Sequence, residues 1–574
     1  MNRRDFLQLL LATYFSGIIQ KSYANNSNIY NFEKYGDIRL LHITDTHAQL
    51  EPNYFREPNY NIGVGVNKNK PPHIVGNKFL KYYGIDNDIY KHAYTYLNFN
   101  ILASKYGKIG GYAYLKTIID QLREESNNNC LLLDGGDTWQ GTGLSLLENG
   151  KDMVEASNLL GVDVMTGHWE FTYGEKIFLE NISLFKGDFV AQNIMLNEEA
   201  IFNDIEPIDE DNHYQKPYTI KEINNVKIAI IGQAFPYTPI ANPKRFIPNL
   251  TFGIKEKELQ KLVNQIKNTE KTSLTVLLSH NGVDVDKKIA QNVSGLDIIF
   301  GGHTHDVLPK PLEIVNNTGR TLIINSGCNG KFISSLDLKI KNHSFDYKYR
   351  LIPIFSDLIK PSHTMNNLII KKNNPHNLLL NKSIGRTNAT LYRRSNFNGT
   401  FDNLLCDAMN TVLDTEISLS PGFRWGTTVL AGEQIRMKDI YNHTAITYPN
   451  TYTREMSGKL IKTILEDVAD NLFNPDPYLQ QGGDMVRTKG IKYTITPQAS
   501  FNNRISNLEL SNGKKIQPHK SYKVSGWASV NQEESGKPIW EITSKYIQNI
   551  KNYDINTSFT PKIKSEDNNI GIET

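Results

Sequence analysis

Seven short runs of large apolar and β-branched residues punctuate the first 350 positions of the chain, at 38–44, 130–133, 162–165, 226–231, 274–278, 296–300 and 321–325. Longer amphipathic stretches such as 112–122 lie between them. Runs of this length, spaced by helical patterns, predict strands alternating with helices in a layered α/β domain. A segment rich in Asn, Lys and Pro follows at 360–381 and predicts a connecting helix and a domain boundary. Beyond it the pattern restarts, with a helical period over 458–471 and strand-like runs at 491–496 and 522–525, which predicts a second, α+β domain. A chain of 574 residues also exceeds the roughly 250–300 at which one hydrophobic core stops growing. The expected division is a leader at 1–24, a first domain at 25–355, a linker at 356–382 and a second domain at 383–574, with the last twenty or so polar residues loose.

The leader rests on chemistry as well as pattern. Arg3-Arg4 precede Phe6-Leu7, an apolar run from Leu9 to Ile19 follows, and Ser22-Tyr23-Ala24 resembles a small-residue cleavage site. These features predict a twin-arginine signal, export of the folded chain to the periplasm, and removal of the leader. The apolar run is well short of the roughly 20 residues a membrane span needs, and no later stretch is long and apolar enough, so no membrane partner is expected. With 63 basic against 60 acidic residues and 39% hydrophobic residues, the chain has the make-up of a globular protein, and its near balance of charge argues against nucleic acid as a partner. Cys130, Cys328 and Cys406 are odd in number and far apart, so they do not form a disulfide framework; Cys130, which opens an apolar run, reads as a small core residue. Gly63-Val64-Gly65 lacks the third glycine and the preceding strand of a dinucleotide loop.

Five of the runs end in side chains that bind metals. They lead into Asp45-Thr46-His47, Asp134-Gly135-Gly136-Asp137, Thr166-Gly167-His168, Ser279-His280 and Gly301-Gly302-His303-Thr304-His305. In a mostly parallel sheet the C-terminal strand ends gather along one edge, so these groups can converge on one place. The spacing within Asp45-x-His47 and within His303-x-His305 puts each pair on one face of an extended segment. Glycines before Asp137, His168 and His303 suit a close approach of backbone to metal. Five histidines and two carboxylates are too many for one ion once water is counted, so two ions sharing a bridging carboxylate are expected. Mixed His and Asp ligation suits manganese, zinc or iron alike. A metal-storing or adhesion protein would explain the ligands but not their gathering at strand ends.

The order Asp-x-His, Gly-Asp, Gly-His, His, Gly-His-x-His resembles that of the metallophosphoesterases, and with the second domain the chain resembles the 5′-nucleotidase family over nearly its whole mature length. That resemblance implies a dimetal catalytic domain at 25–355 and a 5′-nucleotidase-like substrate domain at 383–574. It implies Asp45, His47, Asp137 and His305 as ligands of one metal and Asp137, His168, His280 and His303 as ligands of the other, with Asp137 bridging. One place departs from the nucleotidases, which carry Gly-Asn-His-Glu-Phe-Asp where this chain has Gly167-His168-Trp169-Glu170-Phe171-Thr172. His168 stands at the metal-binding asparagine and is a competent ligand. Trp169 stands at the catalytic histidine and Thr172 at its aspartate partner, and neither can shuttle a proton near neutrality.

That departure is similar to the SoxB family of thiosulfohydrolases in bacterial sulfur oxidation. Further segments agree: Tyr54-Phe55-Arg56-Glu57-Pro58 in a long insertion at 51–108, Gly135-Gly136-Asp137-Thr138-Trp139-Gln140-Gly141, Ser420-Pro421-Gly422-Phe423-Arg424-Trp425-Gly426, and Gln481-Gly482-Gly483-Asp484-Met485-Val486-Arg487. The resemblance implies two manganese ions and release of sulfate from a cysteine S-thiosulfonate on a SoxYZ-like sulfur-carrier protein. The catalytic positions expected on this basis are Asp137, Trp169 and Arg424, Arg424 because its planar fork matches a sulfonate. Asp484 and Arg487 are weaker candidates for substrate or carrier contacts, and the insertion is expected to wall the site. The alternative is a 5′-nucleotidase or related periplasmic phosphoesterase, which needs an aromatic pair to sandwich a base; Phe423, Tyr478 and Trp527 are available.

Overall fold

The computed structural model describes residues 29–317, 319–341, 344–555, 560–564 and 568–573; the leader expected at 1–24 lies outside them. Besides a two-stranded ribbon of Met195–Leu196 and Leu250–Thr251, the described residues of the first domain form twelve strands of its main sheets: β1 (Ile38–Ile43), β2 (Cys130–Asp134), β3 (Val164–Met165), β4 (Asp188–Phe189), β5 (Tyr218–Ile223), β6 (Val226–Gln233), β7 (Leu274–Ser279), β8 (Ile298–Gly301), β9 (Leu312–Asn316), β10 (Gly319–Asn325), β11 (Phe332–Lys341) and β12 (Ser344–Pro353). They form two six-stranded sheets, in the orders β12-β11-β1-β2-β3-β4 and β9-β10-β8-β7-β6-β5. Strands β1 to β4 run parallel, as do β6, β7, β8 and β10, while β11, β12, β5 and β9 add antiparallel edges.

The sheets pack face to face. Leu40, Leu131, Leu133 and Val164 of the first meet Ile228, Ile230, Val276, Leu278, Ile298, Phe300 and Ile324 of the second in one buried cluster. The residues between them point outward and are buried too: Leu41, Ile43 and Leu132 under the helices Tyr112–Glu125 and Lys151–Leu160, and Ile231, Leu277 and Ile299 under Glu256–Thr269 and Val283–Asn292. Burial on both faces is why these strands read as continuous apolar runs. The result is the expected layered arrangement of sheets flanked by helices; the ligand-bearing strands are divided between the two sheets, and their C-terminal ends meet at a shared rim.

The helix His363–Asn373 follows and buries Met365 and Ile369 against the helical layer of the first sheet. The remainder carries three small sheets and the helices Thr400–Leu413, Met437–Thr444, Gly458–Phe473 and Ile539–Ile550, an α+β arrangement. The insertion folds into the short helices Gly76–Tyr83, Asp88–Tyr94 and Phe99–Tyr106. Its Arg56 guanidinium lies between the rings of Tyr96, at 4.8 Å, and Tyr392, at 4.1 Å, which ties it to the C-terminal half. The expectation of a loose end is corrected for residues 568–573: Ile572 pairs with Tyr60, and the Asn61 N–H donates to the Gly571 carbonyl at 2.9 Å. Among the described residues no helix is long and apolar enough to cross a membrane.

Candidate metal centre

The loops that follow β1, β2, β3, β7 and β8 bring seven side chains together. Asp45, His47, Asp137 and His305 form one group, and Asp137, His168, His280 and His303 a second; within each, the ligand atoms lie within 4.8 Å of one another, and Asp137 belongs to both. Asp137 Oδ2 is 3.2 Å from His280 Nε2, 3.3 Å from His168 Nδ1 and 3.6 Å from His47 Nε2, while Asp45 Oδ1 is 3.3 Å from His305 Nε2. Trp169, placed beside them, donates its backbone N–H to Asp137 Oδ1 at 2.8 Å.

The extended geometry expected for Asp45-x-His47 and His303-x-His305 is not what the chain adopts. Asp45, His47, Asp137, His303 and His305 all have left-handed backbone, with φ between 45° and 72°. Each such residue costs roughly 1–2 kcal/mol, and the surrounding contacts must supply it. Part comes from the zipping of two loops: Asp45 N–H donates to Gly136 O at 2.8 Å and His47 N–H to Asp137 O at 2.8 Å. Part comes from Glu170, buried, whose carboxylate accepts the Thr138 and His168 N–H groups, each at 2.7 Å, and so joins the loops after β2 and β3. Gly302 leaves no room for a side chain, since a Cβ there would lie 2.4 Å from Thr44 Oγ1 and 2.9 Å from His280 Nδ1.

The donor set fits two divalent cations. His280 Nδ1 donates to Gly135 O at 2.6 Å, which sets its tautomer and leaves Nε2 for the centre. His47 Nε2 and His305 Nε2 lie 3.0 Å apart, close enough to serve as neighbouring donors to one cation. Burial would lower the His280 pKa, but without a bound cation Asp137 and Asp45 drive it up to about 10, and a cation at Nε2 would take the place of that proton. Burial lowers His47 to about 4 and holds His303 and His305 well below the usual imidazole range, in the neutral form that ligates metals.

The centre opens into a pocket of about 180 Å³ lined by Trp169, Phe235, Tyr237, Phe423, Arg424 and Trp425 besides the ligands. Phe423 stacks on Trp425 at 4.1 Å, Trp169 sets its edge against Trp425 at 5.1 Å, and Trp425 stacks over His47 at 5.8 Å. Arg424 reaches the rim from the C-terminal half, with Nη2 donating to Gly483 O at 2.7 Å and Nε 3.6 Å from Asp484 Oδ1. A larger cavity of about 380 Å³, lined by Asn53, Arg386 and Asp439 among others, contains no ligand side chain and is not part of the centre.

Asp484 and Arg487 are not where the sequence placed them. Both are buried: Asp484 accepts from Arg394 Nη1 at 3.1 Å and pairs with Arg424 and Arg487, and Arg487 also pairs with Asp402 at 3.3 Å. Three guanidiniums hold the Asp484 carboxyl below the usual range against burial, and neither residue can reach a carrier; they brace Arg424 from behind. The aromatic clamp of a nucleotidase is not formed by the three available rings. One face of Phe423 is taken by Trp425, Trp527 is buried with Nε1 donating to Ser420 Oγ at 2.8 Å, and Tyr478 bonds Glu256 under Lys288 instead. Sequence reasoning missed Phe235, whose ring stacks on His303 at 4.0 Å, although it follows β6, a parallel strand whose end carries no metal-binding side chain. It also missed Arg394, in an arginine pair without a motif, which donates to Thr304 O at 3.0 Å.

A face-to-face pair of sheets thus carries, at its common rim, two His and Asp groups that share Asp137 and can hold metal ions. Family models match as a calcineurin-like phosphoesterase over residues 38–307 and a 5′-nucleotidase C-terminal domain over residues 381–537. The chain belongs to the metallophosphoesterase and 5′-nucleotidase superfamily. The solved structure of the sulfate thiohydrolase SoxB of Thermus thermophilus, in complex with glycerol, is 31% identical, with a TM-score of 0.86 over 93% of this chain and 98% of that one. The trifunctional nucleotide phosphoesterase YfkN of Bacillus subtilis is 25% identical over 442 residues, 70% of this chain and 29% of its own. The 5′-nucleotidase of Rattus norvegicus is 27% identical over 328 residues, 52% of this chain and 54% of its own, so the chain spans about half or less of these two curated relatives.

Proposed function

We propose that this chain is an exported thiosulfohydrolase that releases sulfate from a cysteine S-thiosulfonate on a sulfur-carrier protein, with manganese as its two ions. The observation that carries this reading is that, among the described residues, no proton donor is free at the pocket. Besides the ligands, the only titratable residues lining it among those described are Arg424 and Tyr237. Tyr237 spends its hydroxyl on the Tyr478 carbonyl, and burial pushes its pKa up. Trp169 and Thr172 occupy the dyad positions, and Thr172 Oγ1 is engaged with Thr447 Oγ1 at 2.9 Å.

A phosphomonoester expels an alkoxide, whose conjugate acid has a pKa near that of water, about 15.7, so it needs a proton. A thiosulfonate expels a sulfur anion whose conjugate acid resembles a thiol of pKa about 8.5 or lower. In R–S–S–SO3⁻ + H2O → R–S–S⁻ + SO4²⁻ + 2H⁺, the bond to the sulfonate sulfur breaks, its electron pair stays on the departing sulfur, and both protons of water pass to solvent. Bound at the seven ligands, divalent ions supply Lewis acidity and make water a nucleophile near neutral pH. Arg424, fixed by Asp484 and Gly483 O, offers its remaining donors to the sulfonate oxygens. Trp169, Phe423 and Trp425 exclude water and provide ring edges for the carrier's sulfur. The pocket is also small beside the roughly 300–1,000 Å³ of sites that enclose larger ligands.

A second reading, a periplasmic 5′-nucleotidase, is supported by the nucleotide-cleaving relatives. Turnover of a thiosulfonate-loaded carrier and of AMP on one manganese-loaded sample decides between them. The thiosulfonate should be cleaved at least about a hundredfold faster, the lower end of what a missing general acid removes. Equal or faster cleavage of AMP would overturn the reading.

A further inference from the structure

We propose that Asn61 is a positioning residue for the ligand loop at 303–306, and that the C-terminal residues 569–573 strap it in place. The inference rests on the metal centre but not on the identity of the substrate.

Asn61 belongs to the insertion, yet its side chain ends on the residue that follows ligand His305. Its Nδ2 donates to Asp306 Oδ1 at 3.0 Å and to Pro72 O at 3.2 Å. Its Oδ1 accepts from His73 Nδ1 at 3.1 Å, and His73 Nε2 lies 2.8 Å from Asp284 Oδ2. Only the amide nitrogen can donate to a carboxylate and a carbonyl, so these partners fix the orientation of the amide. Asp306 is buried, and it adjoins the left-handed turn at His305. Beside the His303 N–H on Asp45 and the Gly327 N–H on the Asp306 carbonyl, each at 3.0 Å, two side chains grip the far half of the loop: Arg394 holds the Thr304 carbonyl at 3.0 Å, and Asn61 holds the Asp306 carboxylate. A strained turn keeps its ligands in place only while such contacts over-determine it.

The backbone around Asn61 is held by the end of the chain. The Asn61 N–H donates to Gly571 O at 2.9 Å, the Ile570 N–H to Asn69 Oδ1 at 2.9 Å, and the Val75 N–H to Ile570 O at 3.2 Å. The helix Gly76–Tyr83 has Val75 as its N-cap, which offers no side-chain acceptor. The Glu573 carboxylate takes that place, accepting the Asn77 N–H at 2.7 Å and Asn77 Nδ2 at 2.8 Å. A Cβ at Gly76 would fall 1.4 Å from Glu573 Oε2, so the helix start leaves room for that carboxylate.

The test uses the full mature chain, stripped of metal and titrated with Mn²⁺ against a competing chelator, with the ions counted and the metal-free melting temperature recorded. Asn61→Ala and a chain lacking residues 568–574 should each weaken the ion of the Asp45, His47, Asp137 and His305 group about tenfold or more, because the contact falls on Asp306 next to His305, the usual effect of removing a contact behind a ligand. The second ion and the metal-free melting temperature should change little. Glu573→Gln, which keeps an oxygen for the Asn77 N–H, should remain near the parent. Unchanged affinities in Asn61→Ala would overturn the positioning role, and unchanged affinities in the shortened chain would overturn the strap. Loss of both ions together with a collapse of the metal-free melting temperature would also overturn it, because the contacts would then be general scaffold. No substrate enters these measurements, so a failure of the thiosulfonate reading leaves their outcome untouched.

Discussion

Replacing Trp169 by His and Thr172 by Asp places an imidazole and a carboxylate at the two positions where nucleotidases carry their proton shuttle. The new aspartate faces Thr447 Oγ1, which lies 2.9 Å from the present Thr172 hydroxyl and already donates to the Thr172 carbonyl at 2.7 Å, so the carboxylate gains a donor only if that hydroxyl turns toward it. The indole of Trp169 is 5% exposed, and its edge contacts to Trp425 at 5.1 Å and Phe423 at 5.6 Å are lost. Such pairs contribute about 0.5–1.5 kcal/mol each beyond burial, and truncating a buried ring costs roughly 3 kcal/mol in all. The double variant should therefore melt lower and be assayed well below that temperature. A general acid is worth about 10²–10⁴ in rate, or roughly 3–5 kcal/mol of barrier, and the gain should fall on substrates whose leaving group needs a proton. We expect kcat/KM at saturating Mn²⁺ and pH 7 to rise on alkyl phosphates, to rise little on aryl phosphates, whose phenolates leave readily, and not to rise on the carrier thiosulfonate. An equal gain on all three substrates would refute the reasoning from leaving groups.

Asp137→Ala should reduce bound metal below one ion per chain and abolish hydrolysis, because Asp137 belongs to both ligand groups; two ions counted in that variant would remove its bridging role. Arg424→Lys keeps the charge but loses the fork, and kcat/KM on the thiosulfonate should fall about 10–100-fold while the fold survives, since Asp484 retains Arg394 and Arg487 as partners. An unchanged rate would place sulfonate recognition elsewhere. Burial pushes the carboxyl of Asp152 up to about 7, above the roughly 3.9 of an unfolded chain. A raised carboxyl contributes stability that is full below pH 4 and lost as pH rises through 7, which amounts to about 4 kcal/mol by pH 8 at roughly 1.4 kcal/mol per pH unit. Asp152→Asn should accordingly raise the melting temperature at pH 8 and leave it nearly unchanged at pH 4; the same shift at both would show that its ionisation is not what limits stability.

The strands β1, β2 and β7 were readable in the sequence because both of their faces are buried, which forces apolar residues at nearly every position. The seven side chains that cluster at the rim were readable because few residue types can hold a metal and they stand directly after such runs. Local composition thus determined which elements form and what chemistry their ends carry. It did not determine that β1 to β3 and β7 to β8 belong to different sheets, since pairing depends on contacts between segments far apart in the chain. Nor did it show that the ligands sit on left-handed turns, which depend on loops bonding to one another across the rim. Asp484 and Arg487 look like exposed loop residues in Gln481-Gly482-Gly483-Asp484-Met485-Val486-Arg487, and they became interior only because Arg394, Arg424 and Asp402 arrive from other elements to neutralise them. Phe235 and the residues at 568–573 carry no motif at all, and their places beside the centre and on the insertion exist only in the packed chain. A buried charge or a strained turn is stable only with its partners present, and the identity of those partners is a property of the tertiary structure.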